Sequence, residues 1–112
     1  MTGCDWIRDF QGSITVCDLH GIILEMNEKA AVAYQEYGGK ELVGKNLLDC
    51  HPESARDRVK QLLDSGESNV YTIEKNGIRK LVYQVPWYRS SQRCGMVELV
   101  LEIPIDMPHF VR

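Results

Sequence analysis

The stretch SITVCDLHGIILEMNEKAAVAYQEY, residues 13–37, reads as a strand, a tight turn, a second strand and a helix. Ile14 and Val16 alternate with Ser13, Thr15 and Cys17, and Ile22, Leu24 and Met26 alternate with Ile23, Glu25 and Asn27. That is the period-2 pattern of half-buried strands. Asp18-Leu19-His20-Gly21 closes the hairpin, because Asp18 can hydrogen-bond its own backbone just downstream and Gly21 takes positive φ at no steric cost. Asn27 has the short polar side chain of a helix N-cap, and Glu28 suits the positive end of the helix dipole. Ala30, Ala33, Tyr34 and Tyr37 then form an i, i+3, i+4, i+7 stripe that predicts a helix lying close against the sheet, ended by Gly38-Gly39.

Ahead of this unit, Cys4 to Gln11 places Trp6, Ile7 and Phe10 on one side of a short helix ending at Gly12. So short a helix is unstable alone, and its apolar face must be covered by the domain or by a second copy of the chain. After Gly39, Gly44 interrupts Lys40 to Leu48, which predicts one or two irregular turns with Leu42, Val43, Leu47 and Leu48 inward. Pro52 and Glu53 open a longer helix with an apolar stripe of Ala55, Val59, Leu62 and Leu63, stopped at Ser65-Gly66. The last third is β: Val70 to Lys75, an Asn76-Gly77 hairpin turn, and Ile78 to Tyr88 with Leu81, Tyr83, Val85 and Trp87 on one face. A loop from Ser90 to Gly95 leads into a strand with Val97, Leu99, Leu101 and Ile103 inward and Glu98 and Glu102 outward. Pro86 offers no ladder donor, so a bulge or lost pairing is expected there.

The chain has 112 residues, 44% hydrophobic, with a formal net charge of −3. It suits one globular domain with no basic field for nucleic acid or an anionic membrane. No apolar run approaches the roughly 20 residues of a membrane span, and a cytoplasmic location is expected. Cys4, Cys17, Cys50 and Cys94 are scattered without a paired motif, which predicts free thiols.

Asp18, Gly21 and Asn27, followed by a small-residue helix, resemble the opening of a PAS domain, and the order strand, strand, helices, three strands extends the likeness over residues 13–103. Val43-Gly44-Lys45, Cys50-His51-Pro52-Glu53-Ser54 and Gly95-Met96-Val97-Glu98 look more narrowly like the PAS module found beside hemerythrin-like domains in bacterial sensors. The resemblance implies an α+β fold, a five-stranded antiparallel sheet with helices on one face and a short N-terminal helix. The expected division is an N-terminal segment at 1–12, the domain at 13–104 and a tail at 105–112. It also implies a sensory role: binding a small ligand or protein partner, relaying a change in shape to a downstream signalling protein, and homodimerising through Trp6, Ile7 and Phe10. Where such domains signal through a following helix they commonly end in Asp-Ile-Thr; here Glu102-Ile103-Pro104 precedes a second proline, Pro108, which opposes a continuing helix.

Met26, Ala33, Leu47, Val59, Leu63, Tyr71, Tyr83 and Leu99 are the pocket candidates; they either line a ligand cavity or fill the core of a pure dimerisation module. His51, just ahead of a helix start, is the one residue that would make this a haem sensor; its reading as a helix-start residue is preferred, and no paired-ligand motif supports a metal. A flavin photoadduct is not expected, because Leu47 stands where the light-oxygen-voltage type of PAS domain carries its cysteine. With no phosphate loop, nucleophile elbow or paired catalytic carboxylates, the chain is read as a non-enzyme without an obvious cofactor.

Overall fold

A computed structural model of the chain describes residues 5–50 and 53–112. Asn27 ties its opening together. Asn27 Oδ1 accepts the Ala30 N–H, capping helix α2 (Glu28–Ala33), and also the Ile14 N–H in strand β1 (Ser13–Asp18), both at 3.0 Å. Its Nδ2 donates to the Gly12 carbonyl at 2.8 Å, so one side chain, 3% exposed, satisfies groups on both a strand and a helix. The turn forms as predicted: Asp18 Oδ1 accepts from the His20 and Ile22 N–H groups, both at 2.9 Å, and strand β2 (Ile23–Met26) returns antiparallel to β1.

Helix α2 is shorter than its predicted stripe. After Ala33 the chain tightens into a 3₁₀ turn at Gln35–Tyr37, and this change of pitch turns Tyr37 out to solvent. Ala30 and Ala31 are the buried pair, while Ala33 is exposed. Two more 3₁₀ turns, Gly39–Leu42 and Leu47–Cys50, are the irregular turns expected from the Gly44 interruption. Leu42 and Leu47 are buried, but Val43 faces out. Helix α3 (Glu53–Ser65) then lays Val59, Leu62 and Leu63 into a core with Cys17, Ile23, Met26, Ala30 and Met96.

Strands β3 (Asn69–Lys75), β4 (Ile78–Arg89) and β5 (Gln92–Ile103) complete a five-stranded antiparallel sheet in the order β2-β1-β5-β4-β3. The predicted loop at 90–95 is a two-residue turn, because Ser90 and Ser91 both take positive φ (51° and 67°) and let β5 begin at Gln92. Pro86 pairs in register with Met96, and the irregularity falls one step later, between Trp87 and Tyr88. Because β3 begins at Asn69, opposite Gln84, Pro86 faces only one neighbouring strand. β1 and β5 approach so closely at Gly95 that a β-carbon there would meet the Cys17 carbonyl oxygen, to which Trp87 Nε1 donates at 2.9 Å. From Pro104 onward the chain forms no helix or strand.

The predicted inner face of β4 and β5 is the outer one. Thr15 and Cys17 of β1 are buried under the helices and pair with Glu98 and Met96, which sets the helix side of β5; Gln84 and Val82, buried too, set that of β4. Leu81, Tyr83, Val85, Val97, Leu99 and Leu101 therefore share the opposite face with Ile14 and Val16. Both alternations of these strands contain apolar residues, and a one-residue shift moves every side chain across the sheet. Tyr83 is 41% exposed.

The two positions should separate sharply in urea denaturation. Asn27→Ala removes a helix cap and leaves strand groups unpaired, with an expected loss of about 2–4 kcal/mol; Tyr83→Ala should cost less than about 1 kcal/mol. A Tyr83→Ala loss in the range of a buried aromatic would contradict the outward register.

Candidate functional site

The sheet register lines up four polar residues on the helix side. Asn69 of β3 pairs with Gln84 of β4, Gln84 with Glu98 of β5, and Glu98 with Thr15 of β1. Side chains in such a row lie within reach of one another, and three of them bond. Asn69 Nδ2 donates to Gln84 Oε1 at 2.8 Å, and Gln84 Nε2 donates to Glu98 Oε2 at 2.7 Å. From the helical layer, Tyr34 Oη donates to Glu98 Oε1 at 2.9 Å, and Arg58 of α3 donates to Asn69 Oδ1 at 3.1 Å and to Gln61 Oε1 at 3.0 Å. Glu98 is a half-buried carboxylate held by two neutral donors, with no cation paired to it among the described residues.

Above this row lies a cleft of about 270 Å³ between α3 and the sheet. Ala55, Val59 and Leu62 of α3 face Tyr71, Ile73, Val82 and Val100 across it, giving apolar walls on a polar floor. Deeper in, between Thr15, Cys17, Leu47 and Met96, is a recess of about 10 Å³, room for one water-sized group; Val59, Gln84 and Glu98 line both spaces. Thr15, 3% exposed, has a hydroxyl with no hydrogen-bond partner among the described residues. A buried, unpaired hydroxyl carries a desolvation cost that a bound group could relieve. Burial pushes the neighbouring Cys17 thiol up from 9.0 to about 11, despite a lowering hydrogen bond from the Met96 backbone, so it is an inert wall at neutral pH. Burial, then the charge of Glu98, also raises the Tyr71 phenol.

Of the predicted pocket residues, Leu47, Val59 and Tyr71 line the cleft or its recess, whereas Met26 and Leu63 are packed in the core. Ala33 borders a separate groove of about 140 Å³ beside Gln11 and Lys80. Tyr83 and Leu99 lie on the far side of the sheet, a correction that follows from the register. His51 is outside the described residues, and no group of metal-ligating side chains occurs among them. In helix α1 (Asp5–Asp9) Trp6 is 65% exposed; it meets Phe10 edge to face at 6.3 Å, while Ile7 is half-buried. The polar residues of the cleft, Thr15, Arg58, Asn69, Gln84 and Glu98, were not among the sequence candidates; only the strand register brings them together.

No known family model and no curated protein matches the chain. Solved structures do. A Vibrio cholerae sensory box sensor histidine kinase superposes with a TM-score of 0.65 at 15% identity, covering 91% of this chain and 90% of that one. The PAS domain of a Colwellia psychrerythraea protein gives a TM-score of 0.64 at 19% identity, covering 89% and 92%. The sensor region of a sensor histidine kinase gives 0.59 at 23%; the match covers 80% of this chain but only 38% of that one. This chain has a PAS-like α+β fold. Its PAS-like sheet therefore places the polar row on the helix-covered side.

Thr15→Val keeps the side-chain shape and removes the unpaired hydroxyl. The expected result is a gain of about 1 kcal/mol in stability, read as a higher urea midpoint at an unchanged slope. A loss would mean that the hydroxyl is already satisfied.

Proposed function

We propose that the chain is a non-catalytic sensory domain of the PAS type, which binds a small molecule in the cleft between α3 and the sheet and passes the change to a partner protein. The observation behind it is the convergence of Glu98, Gln84 and the unpaired Thr15 hydroxyl at the floor of an apolar-walled cleft. A few convergent polar groups in an apolar concavity are the usual make-up of a small-molecule site. The short way out is through the sheet: Gln84 and Glu98 touch the cleft, and their chain neighbours Tyr83, Val85, Val97 and Leu99 form the opposite face. The likeness to the module beside hemerythrin-like domains, resting on the residues quoted above, suggests a bacterial signalling protein as the setting. The free thiols of Cys17 and Cys94 suit a reducing cytoplasm, and no helix among the described residues is long and apolar enough to cross a membrane.

Native mass spectrometry of the purified protein tests the cleft. Wild type should retain a small-molecule adduct or gain one from a metabolite extract, and Ala55→Trp, which fills the mouth, should lose it. An adduct-free protein that Ala55→Trp stabilises would point instead to an interaction module whose cleft holds no ligand.

A second reading, homodimerisation, is favoured by the apolar outer face and by Trp6 on α1 and Phe10 just after it, both exposed. Large exposed apolar patches mark contact surfaces. The paired variant Trp6→Ala/Phe10→Ala should sediment as a monomer where the wild type sediments as a dimer; an unchanged sedimentation coefficient would remove α1 from the interface.

A further inference from the structure

We propose that the ligand of this cleft is a small primary amine with an apolar body, its protonated amino group seated in the recess between Glu98, Thr15 and Gln84. The proposal rests on the reading of the cleft as a ligand site and adds the chemical class. Charge decides the sign. Among the described residues Glu98 is the only carboxylate lining the cleft or its recess, and its two hydrogen-bond donors, Tyr34 Oη and Gln84 Nε2, are neutral. Among the described residues the one cation lining the cleft, Arg58, is engaged with Gln61 Oε1 and Asn69 Oδ1. An anion would meet Glu98 at the floor, whereas an ammonium would supply the charge partner that no described side chain supplies.

Donor and acceptor counts favour an ammonium over a neutral group. Among the described residues each Glu98 oxygen accepts one hydrogen bond and has a lone pair left, Gln84 Oε1 accepts only from Asn69, and Thr15 Oγ1 has no partner. Three acceptor-bearing side chains thus line one small space. A primary ammonium brings three donors, and a hydroxyl brings one. Size then restricts the head group: about 10 Å³ admits a water-sized group and excludes a carboxylate or a trimethylated ammonium. The body has room above, in about 270 Å³ walled by Val59, Leu62, Ile73, Val82 and Val100.

Isothermal titration calorimetry at pH 7 with phenethylamine, butylamine, 2-phenylethanol, 3-phenylpropionate and phenethyltrimethylammonium tests this. At least one primary amine should bind, and at least tenfold more tightly than the alcohol, the carboxylate and the trimethylated cation. Glu98→Gln should abolish that preference, and Thr15→Val, a shape-conserving change whose fold is checked by circular dichroism, should weaken amine binding severalfold. Equal or tighter binding of the alcohol, the carboxylate or the trimethylated cation would overturn the amine assignment and leave the cleft as a site for another class. Amine binding unaffected by both variants would also overturn it. If no compound binds and Ala55→Trp stabilises the protein, the cleft reading fails, and the amine with it.

Discussion

The constraint on which the structure turns is the register that brings Asn69, Gln84, Glu98 and Thr15 into one row across four strands. Antiparallel pairing places directly opposed side chains about 5 Å apart, close enough to hydrogen-bond. A shift of one residue in β4 or β5 would bring Tyr83 and Leu99 beneath the helices and send the carboxamide and carboxylate out to water. What holds the register is local. Asn27 fixes where β1 starts relative to α2, the Asn76-Gly77 and Ser90-Ser91 turns fix both β4 hairpins, and Gly95 lets β5 lie close against β1. The polar floor of the cleft is thus a consequence of turn and cap chemistry outside it.

This explains why so much of the fold was legible and so little of the site. Caps, turns and helix stripes obey short-range rules, so the Asp18 turn, the Asn27 cap, helix α3 and the Asn76-Gly77 hairpin could be read from a few residues each. The inner face of β4 could not. Leu81, Tyr83, Val85 and Trp87 form the more apolar alternation, and assigning the more apolar set to the core holds only when the other face meets water. Here both faces are apolar enough to bury, and the helix side takes the set with Val82 and Gln84. One signal did point that way. Glu98 has Val97 and Leu99 beside it, and in β1 the small or polar Ser13, Thr15 and Cys17 alternate with Ile14 and Val16, so the more polar alternation recurs in three strands. Only the pairing shows that these alternations are one surface.

The two faces of the sheet have different chemistry. The side under the helices holds hydrogen-bonding groups in a partly dry setting, where each is worth more when satisfied and costs more when not. The other side presents Ile14, Val16, Leu81, Val85, Val97, Leu99 and Leu101, half-buried with none of the described helices spread over them. At one end of that face Phe10 reaches toward Leu101: a β-carbon placed on Gly12 would run into both side chains. Phe10, the residue after helix α1, therefore extends the apolar surface of the sheet at that end.

Coupling between the faces follows from which strand carries the carboxylate. β5 is the central strand, paired to β1 on one side and β4 on the other, and Glu98 lies near its middle. A ligand can shift a conformational equilibrium only by the difference in its affinity for the two states. A charge contact made at Glu98 is well placed to supply such a difference, because its strength changes steeply with small displacements inside a low-dielectric cleft. Any displacement of Glu98 moves Val97 and Leu99 with it, since adjacent residues of a strand share a backbone and point to opposite faces. The same alternation that misleads the reading of the sequence is what connects the polar floor to the apolar surface beyond it.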